Sequence, residues 1–205
     1  MSLVGLLNTA LIANPGVAQN SVRELVAQLK AQPESMTAAT LGPGSYYHLA
    51  GEWFAAGSGT KIKFIPYNTT SPYADLVAGQ VQLMFDALPA AVGNVKAGKL
   101  KVLGIAGTKR VSTMPNVATF TEQGFKGFDV DSWIGMYAPA NLPADIQNVW
   151  VTALREITMQ PDIQARLVSF GFEPLGNTPA QFAEVFKADF PKVAELIKAA
   201  GVTAQ

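Results

Sequence analysis

The chain has 205 residues, 49% hydrophobic and 15% charged, which is enough to bury the core of one large domain or two small ones and too apolar for a disordered chain. Its 15 Lys and Arg balance its 15 Asp and Glu, so the net charge favours neither nucleic acid nor an anionic membrane surface as a partner. There is no cysteine and one histidine, His48, which excludes disulfides, thiol chemistry and Cys/His-rich metal sites.

No apolar run approaches the roughly 20 residues of a membrane span. The opening MSLVGLLNTALIANPG lacks the basic start of a signal peptide. Leu6 to Ala13 is apolar, short and stopped by Asn14-Pro15-Gly16, which predicts one buried strand. Ser21 is placed to cap a helix with Glu24 at the capping-box position, and Val22, Leu25, Val26 and Leu29 form its apolar stripe. Thr37 to Thr40 predicts the next strand. Leu41-Gly42-Pro43-Gly44 cannot extend it, because the glycines admit positive φ and Pro43 lacks an N–H. Ser45 suits an N-cap, and Tyr46 to Ala55 has helical spacing, with Leu49, Trp53 and Phe54 on one side.

Further strands are predicted at Lys61 to Tyr67, Val81 to Phe85, Lys101 to Ala106 and Phe128 to Tyr137. Helices are predicted at Pro72 to Ala78, Pro89 to Ala97 and Val117 to Gln123. After Pro143 the strands stop. Helices follow at Ala144 to Gln160, with Ile146, Val149, Trp150, Leu154 and Ile157 on the apolar side, then at Pro161 to Phe170 and Pro179 to Ala200. The last should carry Phe182, Phe186, Val193 and Ile197 inward and break or restart at Pro191, since a mid-helix proline costs ~3 kcal/mol.

Repeated βα units with short connections predict an α/β fold, a mixed but mostly parallel sheet with flanking helices. Ligands bind such sheets beyond the carboxyl ends of the strands. The turns at 41–45, 67–72 and 86–89 should therefore share one edge, either as a site built by three loops or as three ordinary connections. A strand, a glycine turn and a helix start also bring backbone N–H groups to one point that favours an anion; the same geometry equally serves as a plain βα turn. The stretch is neither a GxxxxGK[ST] phosphate loop nor a GxGxxG fingerprint, so no nucleotide cofactor is expected. Ser45, His48 and Asp86 also permit a second reading, a small-acid hydrolase, although no G-x-S-x-G elbow is present. The C-terminal helices and the N-terminal strand suggest a second module, with the chain crossing near 14–16 and near Ser132, the wiring of hinge-bending binding proteins.

Four stretches come in an order seen in one family: TAATLGPGSYYHLAGEWF, the run IPYNTTSPYADLVAGQVQLMFDALPAAVGNVKAGKLKVLGIAGTKR, MPNVATFTEQGFKGFDVDSWIGMYAPANLP and FGFEPLGNTPAQFAEVFKADFPKVAELIKAAG. Together they resemble the Bug-type extracytoplasmic solute receptors of tripartite tricarboxylate transporters. The resemblance covers nearly the whole chain and is strongest at HLAGE, PY…DLVAGQVQLMFD and SWIGMYAP. It implies a two-lobed, type II periplasmic-binding-protein fold, periplasmic location, membrane transporter partners and no catalysis. The ligand would be a small carboxylate: a di- or tricarboxylate, an acidic amino acid or a related acid. Thr40, Leu41, Gly42, Gly44, Ser45 and Tyr46 would hold a ligand carboxylate, and Tyr67, Asn68, Thr69, Asp86 and Ala87 would supply the neighbouring walls. No metal or cofactor is implied.

On this reading residues 17–131 form ligand-binding lobe two, and residues 1–16 with 132–205 form the remaining part of lobe one. Family members begin with a signal peptide and a further N-terminal part of lobe one that carries its own ligand loop. Lobe one is therefore expected to be incomplete here, with weakened ligand capture and association of copies through the 1–13 strand and the 144–200 helices. Tyr46-Tyr47 is bulkier than the small residues usual before the histidine, which should narrow the pocket.

Overall fold

The computed structural model describes residues 2–68, 70–107, 109–128 and 130–200. Strand β1 (Ser2–Leu7) is followed directly by β2 (Thr9–Ala13) and then by α1 (Val22–Ala31). Next come β3 (Thr37–Thr40), α2 (Tyr46–Ser58), β4 (Lys63–Pro66), α3 (Tyr73–Ala78), β5 (Leu83–Ala87), α4 (Leu88–Lys96) and β6 (Lys101–Ile105). After a long irregular stretch follow β7 (Ser132–Met136), α5 (Ala144–Thr158), α6 (Pro161–Ser169), β8 (Phe172–Pro174) and α7 (Pro179–Ala199). Among the described residues no helix is long and apolar enough to cross a membrane.

Five strands form the main sheet in the order β4-β3-β5-β2-β6. β3 runs parallel to β4 and β5, and β2 runs antiparallel to both β5 and β6. Alternation along each strand sends side chains to two cores. Leu11, Ala38, Leu83 and Phe85 point to the face covered by α1 and α2, where they meet Leu25, Leu29, Leu49, Phe54, Phe120 and Phe128. Ile12, Ala39 and Met84 point to the opposite face and pack on Leu76, Leu88 and Leu100 of α3, α4 and the turn before β6. The second sheet is small and antiparallel, in the order β7-β1-β8.

Leu6 to Ala13 is not one strand. It divides at Asn8, and the two halves belong to different sheets: Leu7 pairs with Ser132 and Phe172, whereas Thr9 pairs with Ala87. The first passage between sheets therefore lies at Asn8, and residues 9–13 sit in the larger sheet rather than with β1. Because β1 is paired along both edges, it offers no open edge to another chain.

Val117 to Gln123 forms turns rather than a helix. Thr119 makes a parallel bridge to Ile105, and Phe120 is wholly buried in the first core, so long-range pairing prevails over the local helix signal. That signal survives only as a reciprocal clasp, Glu122 N–H to Thr119 Oγ1 and Thr119 N–H to the Glu122 carboxylate. The strand expected from Phe128 is confined to Ser132–Met136. α7 runs through Pro191 without interruption.

α7 packs differently from expectation. Phe182 is buried against Trp133 and Tyr137, but Phe186 and Ile197 are 46% and 40% exposed. On α5 the apolar stripe faces solvent: Val149 is 69% exposed and Trp150 50%. α7 also spans both sheets, because its far end buries Leu196 in the core formed by α1 and α2.

Candidate binding mouth

β3 ends at the buried Thr40, and the chain turns through Gly42 and Gly44, both with positive φ (101° and 77°). Ser45 N–H donates to the Gly42 carbonyl (3.2 Å), closing the turn. Ser45 then caps α2, its hydroxyl accepting from His48 N–H (3.4 Å). β4 lies beside β3, and Tyr67 N–H donates to the Thr40 carbonyl (2.8 Å), which carries the parallel pair one residue past its strand ends. Asn68 follows with its side chain against Gly42. A Cβ on Gly42 would lie 2.8 Å from the Asn68 Oδ1. The loops after β3 and β4 are thus in direct contact, and Leu41, 46% exposed, projects beside them.

The third loop starts one strand over. Asp86 and Ala87 close β5 and are both buried. The Asp86 carboxylate accepts from the Tyr73 hydroxyl (2.9 Å) and from Ala87 N–H (2.7 Å), which ties the start of α3 to the end of β5. Tyr67 is tied to the same helix through its hydroxyl, which donates to Asp75 (2.7 Å). Thr69, the remaining expected wall residue, lies outside the described residues.

Burial pushes the Asp86 carboxyl above the usual carboxylate range, against the pull of the Tyr73 hydroxyl and Ala87 N–H. Burial pushes the Tyr47 hydroxyl up to about 12, opposed by its bond to Ser132 and reinforced by Asp86 and Asp131. Tyr73 is raised by burial first and by Asp86 second. Among the described residues, the charges that act on these three groups come from Asp86, Asp131 and Tyr47.

Ser45, His48 and Asp86 do not form a triad. The His48 Nδ1 accepts from Gly44 N–H (3.2 Å), so its ring proton sits on Nε2, 3.5 Å from the Glu52 carboxylate. Among the described residues no hydrogen bond joins the His48 ring to the Ser45 hydroxyl or to Asp86, and the Ser45 hydroxyl instead accepts from His48 N–H. The same contacts alter the expected anion geometry, since Gly44 and Ser45 turn their N–H groups into the loop rather than toward a ligand. Among the described residues no group of three or more His, Asp or Glu is placed to hold a metal ion.

Sequence reasoning missed what the two tyrosines touch. The Tyr46 hydroxyl donates to the Asp131 carbonyl (2.9 Å), and the Tyr47 hydroxyl lies 2.8 Å from the Ser132 hydroxyl. Instead of filling a pocket, these side chains reach from α2 to the segment that enters β7. A polar tip on each bulky ring was the available signal; its partners lie 85 residues away.

Residues 2–202 match the family described as the tripartite tricarboxylate transporter family receptor. A protein from the TAR-I ttuE-ttuC' intergenic region of Agrobacterium vitis is 28% identical over 98% of this chain, which spans 60% of that protein's length. Among solved structures, the periplasmic binding protein BugD is 33% identical, with a TM-score of 0.87 over 100% of this chain and 69% of its own. Rpa4515 of R. palustris, solved with adipate, is 25% identical, with a TM-score of 0.91 over 98% of this chain and 68% of its own. The α/β architecture of mixed sheet and flanking helices is that of periplasmic binding proteins, and the chain belongs to the tripartite tricarboxylate transporter receptor family.

Proposed function

We propose that this chain is the binding part of a periplasmic receptor that captures a small carboxylate and presents it, chemically unchanged, to the membrane components of a tripartite transporter. The acid would sit at the mouth formed by Thr40, Leu41, Gly42, Gly44, Ser45 and Tyr46, walled by Tyr67, Asn68, Thr69, Asp86 and Ala87. The observation that carries this reading is the convergence of loops at the carboxyl ends of parallel strands. Tyr67 N–H bonds to the Thr40 carbonyl, and Asn68 packs on the Gly42 backbone, beside the N-terminus of a 13-residue helix. That is where an α/β sheet offers ligands a crevice and where a helix dipole favours negative charge. The structural similarity to Rpa4515, which was solved with adipate, supports a small acid as the ligand class.

The hydrolase reading has no such support, because among the described residues the His48 ring bonds neither the Ser45 hydroxyl nor Asp86. Incubation with adipate, malate, aspartate and nicotinate tests both. A receptor gives a Trp fluorescence change with the acid recovered intact, while turnover of ester or amide probes, lost in His48→Ala, would overturn the receptor reading.

A further inference from the structure

Two hydroxyl relays leave the first turn of α2 and end on the two strands that pass between the sheets. In one, the Tyr47 hydroxyl meets the Ser132 hydroxyl (2.8 Å), which donates to the Leu7 carbonyl (3.3 Å). In the other, the Tyr46 hydroxyl donates to the Asp131 carbonyl (2.9 Å), while the Asp131 side chain accepts from Thr9 N–H (3.3 Å). The Thr9 hydroxyl also donates to the Val130 carbonyl, which fastens the two crossings to each other. Leu7 and Thr9 flank Asn8, where the chain changes sheets, and the Asn8 carbonyl accepts from Leu88 N–H (2.8 Å) at the start of α4. The relays therefore begin one and two residues after the Ser45 cap and end on both sides of both crossings. Thr9 and Val130 are buried and Leu7, Tyr46, Tyr47, Asp131 and Ser132 are half-buried, so the bond between the crossings is the most costly to leave unmade.

We propose that Tyr46 and Tyr47 are positioning residues that make the mouth loop and the two crossings move as one unit, so that the angle between the sheets is set by, and reported to, the carboxylate loop. The inference rests on the proposed receptor reading for its ligand and on the relays alone for its mechanics. A phenylalanine at either position keeps the ring and the edge-to-face packing of the pair, whose centroids are 5.6 Å apart, and removes only the hydroxyl. Ser132→Ala cuts the Tyr47 relay from its other end and leaves the tyrosines in place.

Hydrogen exchange on the full chain, without ligand, decides the mechanical part. Tyr46→Phe/Tyr47→Phe should speed exchange at amides 131–134 roughly tenfold, and Ser132→Ala should do so in part, with β3 and β5 unchanged. Unchanged exchange at 131–134 in both variants, or an equal rise across β3 and β5, would overturn the proposal. With adipate as the probe, the parent chain should be protected at both 41–48 and 131–134, whereas Ser132→Ala, which leaves every residue of the mouth in place, should keep the protection at 41–48 and lose part of that at 131–134. Protection of 41–48 alone in the parent would refute the coupling and leave the receptor reading intact. Protection nowhere would count against the receptor reading, and the ligand-free comparison would still decide the relay.

Discussion

Asp86 is a buried carboxylate that accepts two hydrogen bonds, and burial raises its pKa above the ordinary value. A carboxyl whose folded pKa is raised binds its proton more tightly folded than unfolded. Its contribution to stability is complete below the unfolded value and is lost as pH rises through the folded one. The parent chain should therefore gain stability relative to Asp86→Asn as pH falls from neutral toward the usual carboxylate range. Urea unfolding of both proteins between pH 4 and 8 would show it; a pH-independent difference would mean that Asp86 does not titrate differently on folding. Ser45→Ala should cost about 1 kcal/mol, the usual loss of an N-cap. Both glycines of the turn and the Ser45 cap were legible in the sequence, because each is a local backbone requirement. The fate of His48 was not legible from its type. Its ring meets Gly44 four residues before and Glu52 four residues after, and it packs perpendicular to the Phe64 ring of β4.

At the scale of elements, periodicity located the βα units, and long-range pairing decided the exceptions. The run LVGLLNTALIA looks the same whether its halves enter one sheet or two, and only the buried Asn8 marks the break. Phe172–Pro174 was missed because three residues carry no period and gain their strand form from β1. The α5 stripe was correctly read as apolar, whereas Phe186 and Ile197 of α7, expected inward, are exposed, since spacing identifies a face but not what covers it. A contrast of two glycines tests the packing described for β7 and α7. A Cβ at Gly135 would lie 2.4 Å from the Phe182 ring, while one at Gly57 meets nothing within 4 Å. Gly135→Ala should lose roughly 1–3 kcal/mol by overpacking. Gly57→Ala, near the end of α2, should be neutral or gain roughly 0.4–1 kcal/mol. Thermal unfolding of the pair would contradict this packing if the two variants shifted alike.

For the whole molecule, the two sheets are joined by paired crossings at Asn8 and near Ser132 and bridged again by α7, whose Phe182 packs on β7 and whose Leu196 enters the main core. The run of helices after Pro143 was legible from its period, but β8 among them and the span of α7 across both sheets were not, because their contacts are set by tertiary geometry. Exposed Val149, Trp150 and Ile157 on α5, with Phe186 and Phe190 on α7, leave an apolar surface that favours association of copies. Light scattering should detect species larger than a monomer, and Val149→Lys/Trp150→Lys should reduce them; a monodisperse parent monomer would contradict this. The central claim is that the glycine turn after β3 and the Asn68 loop hold a small acid between them. Calorimetric titration of the parent chain and Gly42→Ala with adipate, malate and aspartate tests it most directly. Gly42 has φ 101°, and its Cβ would displace Asn68. The account predicts that at least one acid binds the parent and binds Gly42→Ala roughly tenfold or more weakly. Equal affinities, or no binding of any acid to the parent, would contradict it.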